Sequence, residues 1–309
     1  MKKISVVSAC YNEKDNVGEL YRRLKAVLDG LKSYTYEIIF IDNNSQDRTV
    51  EVLRQLASGD KKLKIIINAR NFGHLRSPYY GLLQADGDAV VYISSDLQEP
   101  PELIGEFIKK WEEGFKIIVG VKTKSRESRV MFGIRKLFYW LMNKLSENKQ
   151  IENFTGFGLY DKKIIDIIRN IEDPYPYFRG LVSEIGYDIA PIEYTQNKRA
   201  RGVSKNNFYT LFDLAMLGIV NNSKIPLRLA VFMGAVSSLM CFLIGLAYLI
   251  YKILFWNSFQ LGIAPLVVGA FFFFSVQLIF IGILGEYIGA IYTQVKKRPL
   301  VIEKERVNF

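Results

Sequence analysis

Two long apolar runs occupy the C-terminal third of the chain, one over 227–254 and one over 261–292. Only Arg228 and Lys252 interrupt the first run with charge, and Glu286 is the only charged residue of the second. Each run exceeds the roughly 20 residues that a helix needs to cross a hydrocarbon core about 30 Å thick. We therefore expect two transmembrane helices that form a hairpin, and a lipid bilayer as one partner of the chain.

Basic residues lie at the outer ends of this hairpin. Lys224 and Arg228 stand near the start of the first run, and the basic cluster 296–298 follows the second. Lys and Arg are enriched on the cytoplasmic side of membrane proteins. The pattern predicts an integral protein of the plasma (inner) membrane, with both termini and a basic tail over 293–309 in the cytoplasm.

The N-terminal part of the chain has short apolar runs rich in Val and Ile, separated by segments of helix length. The runs cover 4–9, 37–41, 63–67, 89–94 and 116–121, and the clearest intervening segments are 16–31 and 100–113. Alternating strands and helices predict βαβ units, and continuous apolar strands fit a parallel sheet covered on both faces. We expect an α/β domain with a Rossmann-like, mostly parallel sheet over 1–205, in the cytoplasm.

Two amphipathic segments lie between this domain and the hairpin, at about 129–146 and 206–226. In both, apolar residues recur at helical spacing, and in the first the basic residues occupy other positions. A helix packed on a core and a helix lying in the membrane interface both have this pattern. The sequence leaves the two interpretations open. Exposed aromatic helices beside a bilayer would also favour self-association, so a homo-oligomer is among the expected partners.

The net charge of +10, from 41 basic and 31 acidic residues, indicates an anionic partner. The basic clusters with aromatic neighbours lie near the hairpin and not on the predicted sheet, which argues against nucleic acid. The two cysteines, Cys10 in a strand and Cys241 in an apolar run, exclude a disulfide framework and a zinc site. His74 is the only histidine, which argues against a histidine-dependent metal site or catalytic triad.

Polar side chains follow the first four predicted strands, where parallel strands place their loops at one edge of the sheet. They are Tyr11, Asn12, Glu13, Asp42, Arg70, Asn71, Asp96 and Gln98. Ligands of doubly wound folds bind beyond the carboxyl ends of strands, so these side chains predict a ligand site, and their carboxylates, amides and cation suit a nucleotide-sugar. Glu13 and Asp42 are suited to accept hydrogen bonds from a base and a ribose.

Asp96 and Gln98 are the candidate metal ligands of this edge. Both would project to the same side of an extended segment, so their oxygens can reach one ion. A single carboxylate and an amide suit Mg²⁺ or Mn²⁺ that arrives with phosphate oxygens as its other ligands.

Several segments together resemble a known family. Residues 11–13 read Tyr-Asn-Glu, 70–73 read Arg-Asn-Phe-Gly and 96–102 read Asp-Leu-Gln-Glu-Pro-Pro-Glu. Residues 199–205 fit the pattern Arg-x-x-Gly-x-Ser-Lys, and 285–289 resemble the closing motif of the two-span members. Nearly the whole chain is similar to the inverting family 2 glycosyltransferases of GT-A fold, in the polyisoprenyl-phosphate branch. That branch contains the GtrB-type bactoprenol glucosyltransferases, and the dolichyl-phosphate mannose synthases share its catalytic part.

The resemblance implies transfer of glucose from UDP-glucose to undecaprenyl phosphate with inversion, which gives a lipid-linked sugar for cell-surface glycan or lipopolysaccharide. It implies catalytic roles for Asp96, Arg199 and Lys205. The side chains available for the lipid phosphate are Arg126, Arg129, Arg135, Arg199, Arg201, Ser204 and Lys205. Mannose transfer from GDP-mannose is the alternative. A processive polysaccharide synthase would need more helices and a Gln-x-x-Arg-Trp segment, and a non-catalytic basic membrane protein would not require these motifs.

Three departures from the family pattern affect the predicted chemistry. Ser94 stands where an Asp-x-Asp motif has its first carboxylate, the segment 156–159 lacks the acid and the base of Gly-Asp-Phe-Arg-Leu, and Ala290 replaces an arginine. The identity of a catalytic base is therefore open. A phosphate monoester with a second pKa near 6 is mostly a dianion at neutral pH. Such an acceptor has to be held in line and its charge balanced, but it does not have to be deprotonated.

Overall fold

The computed structural model describes residues 1–124, 151–196, 216–220, 223–255 and 263–309. The predicted amphipathic segment 129–146 and all seven predicted lipid-phosphate residues lie outside the described residues. These seven are Arg126, Arg129, Arg135, Arg199, Arg201, Ser204 and Lys205. Their roles, and the predicted domain boundaries, stay predictions.

The described residues form an α/β domain followed by two long helices. The strands are β1 (Lys2–Cys10), β2 (Tyr34–Asp42), β3 (Leu63–Asn68), β4 (Ala89–Tyr92), β5 (Ile117–Lys124), β6 (Phe154–Asp161), β7 (Ile189–Thr195) and β8 (Glu303–Val307). The helices are α1 (Val17–Asp29), α2 (Thr49–Gly59), α3 (Gly73–Gln84), α4 (Ile104–Glu112), α5 (Lys162–Ile171), α6 (Phe178–Glu184), α7 (Ile225–Leu254) and α8 (Ile263–Val295). A 3₁₀ turn at Pro101–Leu103 leads into α4.

The eight strands form one mixed sheet in the order β7-β5-β6-β4-β1-β2-β3-β8. The pairs β1–β2, β1–β4, β2–β3 and β5–β7 are parallel. The pairs β4–β6, β5–β6 and β3–β8 are antiparallel. The predicted mostly parallel sheet is confirmed. Because β1 to β4 run in the same direction, their carboxyl ends and the predicted site loops meet at one edge.

The apolar strands are buried on both faces, as their continuous hydrophobic character predicts. Val6 and Val7 are both fully buried, but they point to opposite sides of the sheet because strand side chains alternate. Val6 belongs to a core cluster with Phe40 under α1, α2 and α4. Val7 belongs to a second cluster with Tyr79 under α3, α5 and α6. This double core fixes the sheet that carries the site loops.

The C-terminal tail contributes a strand, which the sequence does not predict. Residues Glu303–Val307 pair antiparallel with β3 as β8. The Tyr80 hydroxyl donates to Glu303 over 2.8 Å, and the side-chain amide of Asn308 donates to the carbonyls of Ala57 and Leu63 over 2.9 and 2.8 Å. The segment after the second apolar helix therefore completes the edge of the sheet.

Helices α7 and α8 are long and apolar enough to cross a membrane. The spans Ile225–Leu254 and Gly269–Val295 have mean hydropathies of 2.3 and 1.9, and the protein buries none of their most apolar stretches. Phe242 and Phe271 are 65% and 69% exposed, which fits contact with lipid and not with water. The Tyr287 hydroxyl donates to the carbonyl of Ser223 over 2.6 Å and joins α8 to the start of α7.

Candidate active site

The loops after β1 and β2 are joined by hydrogen bonds at the carboxyl edge of the sheet. The backbone N–H of Asn12 donates to the Ser45 hydroxyl over 2.8 Å, and the Asn12 side-chain oxygen accepts from the N–H of Gln46 over 2.7 Å. The N–H of Glu13 donates to the Thr49 hydroxyl over 2.9 Å. Tyr11 is half-buried beside them. The structure therefore brings the predicted residues of β1 and β2 together.

Asp42 is fully buried and organises its own loop. Its carboxylate accepts from the N–H of Ser45 over 2.9 Å and from the Ser45 hydroxyl over 2.5 Å. Burial raises the pKa of Asp42, while the bonds from Ser45 oppose that shift. Glu13 is also almost covered and accepts from the Asn16 amide over 2.5 Å. These contacts hold the loops in shape, and direct contact of Asp42 or Glu13 with a donor stays a prediction.

Asn43 joins the second and third loops, a role that the sequence analysis missed. Its amide donates to the Asn71 side chain over 2.8 Å, and its oxygen accepts from the N–H of Phe72 over 2.9 Å. The Asn68 amide donates to the same oxygen over 3.1 Å. The position of Asn43 directly after a predicted strand, beside Asp42, was the available signal.

Arg70 is exposed at this edge and is a cation available for a diphosphate. Its guanidinium lies 4.0 Å from the centre of the Phe72 ring and donates to the Asn71 carbonyl over 3.0 Å. None of the ion pairs among the described residues includes Arg70. Phe72 and Asn71 therefore orient the guanidinium while its charge remains unbalanced by the described part of the protein.

The segment after β4 is a turn, so the expected extended geometry of Asp96 and Gln98 is wrong. Leu97 has φ +61°, a left-handed conformation that non-glycine residues adopt uncommonly. The turn lets the N–H of Gln98 donate to the Asp96 carboxylate over 3.2 Å. Both side chains are half-buried. The two candidate ligands are still neighbours, although they are brought together by a turn and not by strand alternation.

Glu99 is buried against this turn and stabilises it, a role that the sequence did not predict. It is 2% exposed, and its two oxygens accept from the N–H of Ser94 over 2.8 Å and from the Thr155 hydroxyl over 2.7 Å. Burial raises the pKa of Glu99, and the charge of Asp96 adds to the shift. Glu99 therefore ties the Asp96 turn to β6. Its place inside the motif at 96–102 was the signal.

Glycines in β6 explain why this strand carries no acid or base in its middle. A Cβ on Gly158 would lie 2.3 Å from the carbonyl oxygen of Ile118 on β5, so the close approach of the two strands excludes a side chain. Gly156 has φ +105°, which L-residues rarely adopt. No carboxylate therefore comes from these two positions.

The chain is similar to known glycosyltransferases over most of its length. Residues 5–166 match the family described as Glycosyl transferase family 2. The uncharacterized glycosyltransferase YkcC of Bacillus subtilis is 37% identical over 300 residues, covering 96% of this chain and 92% of that protein. The bactoprenol glucosyl transferase of Shigella phage SfII is 35% identical over 304 residues, covering 98% of each chain.

A solved structure shares the fold. The glucosyl-3-phosphoglycerate synthase of Mycobacterium tuberculosis, in complex with Mn²⁺, UDP and phosphoglyceric acid, aligns with a TM-score of 0.50. It is 21% identical, and the match covers 71% of this chain and 76% of that chain. The predicted GT-A fold is confirmed by this likeness and by the sheet topology. The motifs of the strand-end loops, the fold and the full-length relatives agree, and the chain is a glycosyltransferase that belongs to Glycosyl transferase family 2.

Proposed function

We propose that this glycosyltransferase transfers glucose from UDP-glucose to undecaprenyl phosphate, with inversion, at the cytoplasmic face of the plasma membrane. The observation that carries the proposal is the similarity to proteins named bactoprenol glucosyl transferases, which extends over 98% of the chain and so includes both apolar helices. A soluble acceptor would not require a catalytic domain joined to such a hairpin. The product would be a lipid-linked sugar for cell-surface glycan or lipopolysaccharide.

The donor would lie across the carboxyl edge of the sheet. Tyr11 and Asn12 stand at the end of β1 for the nucleoside, and Asn71 and Arg70 stand after β3. The unbalanced guanidinium of Arg70 suits a diphosphate because bidentate hydrogen bonds of arginine match phosphate oxygens. GDP-mannose, the alternative donor, would use the same diphosphate contacts and differ at the base.

Asp96 and Gln98 fit a divalent ion that arrives with the nucleotide. Both offer oxygen atoms, which Mg²⁺ and Mn²⁺ prefer. Among the described residues no group of three or more His, Cys, Asp or Glu side chains is placed to hold a metal. The donor set therefore suits an ion that takes its other ligands from phosphates. When bound, such an ion would balance the charge that develops on the departing diphosphate.

The transfer needs no general base from the protein. An oxygen of the acceptor phosphate attacks the anomeric carbon and forms the new C–O bond. The bond from that carbon to the donor diphosphate breaks, and its electron pair leaves with the nucleoside diphosphate. Since the acceptor is already a dianion, no proton has to be removed. The absence of a carboxylate at Gly156 and Gly158 is compatible with this chemistry. Arg199 and Lys205 are proposed to balance the phosphate charge.

The test uses the purified full chain in detergent with Mn²⁺ or Mg²⁺ and radiolabelled UDP-glucose, UDP-galactose or GDP-mannose. Undecaprenyl phosphate is present, absent or replaced by a water-soluble sugar acceptor. We expect labelled lipid from UDP-glucose alone. Equal transfer to the water-soluble acceptor would refute the lipid assignment. Transfer from GDP-mannose alone would refute UDP-glucose as the donor and assign GDP-mannose instead.

Asp96→Ala tests the predicted metal ligand. We expect loss of turnover by at least about 100-fold, because the leaving diphosphate would lose its metal-assisted stabilisation. Asp166→Ala is the matched control, since Asp166 is a half-exposed carboxylate on α5 that pairs with Arg169. Near-normal turnover of the Asp96 variant would refute the assigned role.

A further inference from the structure

A cavity of about 90 Å³ opens beside the Asp96 turn, between the start of α3, β6 and α6. The residues that matter in its wall are His74, Tyr92, Thr155, Gly156, Phe178 and Arg179. Thr155 also donates the hydrogen bond to Glu99 that supports the turn. Thr155 therefore belongs to the cavity wall and also contacts the residue that supports the Asp96 turn. The volume of the cavity suits one small group and not a nucleotide.

The charge in this cavity is positive and unbalanced. Arg179 is half-buried, and the only hydrogen bond that its guanidinium makes among the described residues is a 3.3 Å contact from Nη1 to the carbonyl oxygen of Phe154. The guanidinium also lies 5.8 Å from the centre of the Tyr177 ring. No ion pair among the described residues includes Arg179, and Gly156 brings no carboxylate. A half-buried guanidinium without a counter-ion is favourable only with an anionic partner or water.

His74 lies in the same wall and makes no hydrogen bond to a described residue. The surrounding protein desolvates its ring and lowers its pKa, and the neighbouring charge of Arg179 adds to that shift. A neutral imidazole still donates one hydrogen bond to an oxygen. Arg179 and His74 thus present several N–H donors to a space that is the size of a single anion.

The chain segment that precedes Arg179 contacts the C-terminal part of α8. Asp173 accepts from the side-chain amide of Gln294 on α8 over 2.9 Å. Tyr175 lines a second cavity, of about 380 Å³, together with Gly289 and Glu286 of α8. Arg179 follows Tyr175 by only four residues. An anion bound at Arg179 is therefore close along the chain to a cavity that the C-terminal part of α8 lines.

We propose that Arg179 and His74 bind the phosphate group of the lipid acceptor, while its prenyl chain leaves through the cavity beside Tyr175. The inference rests on the proposed lipid-phosphate acceptor. The donor diphosphate is disfavoured as the occupant, because the cavity accepts one small group and not two linked phosphates with a nucleoside. Arg179 would complement the predicted cations at 199–205 by holding the attacking phosphate next to the Asp96 turn.

The test compares Arg179→Gln, Arg179→Lys and His74→Gln in the full chain in detergent. Binding of farnesyl phosphate, of farnesol and of UDP is measured for each variant without turnover. We expect Arg179→Gln to weaken the binding of farnesyl phosphate about 10- to 100-fold, since charge-assisted hydrogen bonds are lost. Arg179→Lys should reduce the affinity for farnesyl phosphate about 3- to 10-fold, because lysine keeps the charge but lacks the planar guanidinium. His74→Gln should reduce this affinity by a similar factor.

The affinities for farnesol and for UDP should stay unchanged, and normal UDP affinity also shows that each variant is folded. Arg22→Gln is the matched control, since Arg22 is exposed on α1 and pairs with Glu19. Wild-type affinity of Arg179→Gln for farnesyl phosphate would overturn the inference. Selective loss of UDP affinity would assign the cavity to the donor and would also overturn it.

Turnover separates this inference from the proposed function. A wild-type protein that binds farnesyl phosphate through Arg179 but transfers no sugar to undecaprenyl phosphate would refute the proposed function and leave the anion site standing. An Arg179→Gln variant that transfers sugar as fast as the wild-type protein, at an unchanged acceptor KM, would refute the anion site and leave the proposed function standing.

Discussion

Glu99 connects the turn that carries Asp96 to strand β6, and its replacement tests whether this connection sets metal and nucleotide binding. Glu99→Ala would leave the N–H of Ser94 and the hydroxyl of Thr155 without their acceptor at 2.8 and 2.7 Å. A fully buried donor without a partner costs about 1–3 kcal/mol, and less when water reaches it, as it can at half-buried Ser94 and Thr155. Because a hydroxyl can rotate toward water or a carbonyl, the Ser94 N–H contributes most of the cost. We expect a total of about 1–3 kcal/mol.

Glu99→Gln is the matched replacement for this prediction. The amide oxygen can accept from Ser94, and the amide N–H can donate to Thr155, whose hydroxyl then acts as the acceptor. Both contacts survive, although the one with Thr155 reverses its donor and acceptor. The affinity of this variant for UDP in the presence of Mn²⁺ should therefore remain within about threefold of the wild-type value. The Ala and Gln variants therefore differ in hydrogen-bond support and share the loss of the carboxylate.

The assay is Mn²⁺-dependent binding of UDP by calorimetry, together with thermal unfolding in the absence of nucleotide. We expect Glu99→Ala to weaken the binding of UDP in the presence of Mn²⁺ by about 10- to 100-fold, with a smaller change when metal is omitted. Wild-type binding by Glu99→Ala would refute the reasoning. An equal defect in Glu99→Gln would show that the negative charge itself, and not the support of the turn, is required.

Two further predictions concern the stability of the sheet. Lys3 and Lys64 pair with buried Glu37 at 2.9 and 2.7 Å and hold the pKa of that carboxyl at about 2, against the desolvation that raises it. This stabilisation is present above the unfolded pKa near 4.5 and is lost as pH falls toward 2, so Glu37→Gln should unfold about 2 kcal/mol more easily at pH 7 and show a flatter acid dependence. Gly158→Ala should cost about 3 kcal/mol in thermal unfolding, because its Cβ would meet the carbonyl oxygen of Ile118 at 2.3 Å.

A control variant exists for the glycine prediction, and each stability prediction has an outcome that would contradict it. Gly105→Ala lies in α4 with open space around its Cβ and should stabilise the fold slightly, by up to about 1 kcal/mol. A Gly158 variant as stable as the Gly105 variant would contradict the close approach of β5 and β6. Wild-type stability of Glu37→Gln between pH 4 and pH 7 would show that the two lysines are as well accommodated by water as by the carboxylate.

The strands around the site were predictable because their burial leaves a direct mark on the sequence. The continuous run that contains Val6 and Val7 predicts a strand covered on both faces, and the structure buries both residues. The loops after these strands were predictable for the same reason, since each polar residue follows a strand end. The prediction of the two apolar helices depended on length and composition alone.

Other elements depend on contacts between distant segments, which a single sequence does not display. Strand β6 is broken by Gly156 and Gly158, so it has no regular apolar alternation, and its pairing with β5 supplies the reason for those glycines. The turn at Leu97 needs a left-handed residue that no glycine signals. The roles of Asn43 and Glu99 become visible only when the loops are assembled.

Strand β8 changes how the two apolar helices relate to the catalytic domain. Its pairing with β3 makes residues on both sides of α7 and α8 members of one sheet, so the hairpin is an insertion within the catalytic domain and not an appendage to it. A soluble version made by cutting the chain before Ile225 would discard β8 and expose the backbone of β3 as an open edge, which invites aggregation. A soluble version should instead replace 225–295 with a linker and keep 296–309, so that the domain retains all of its own strands.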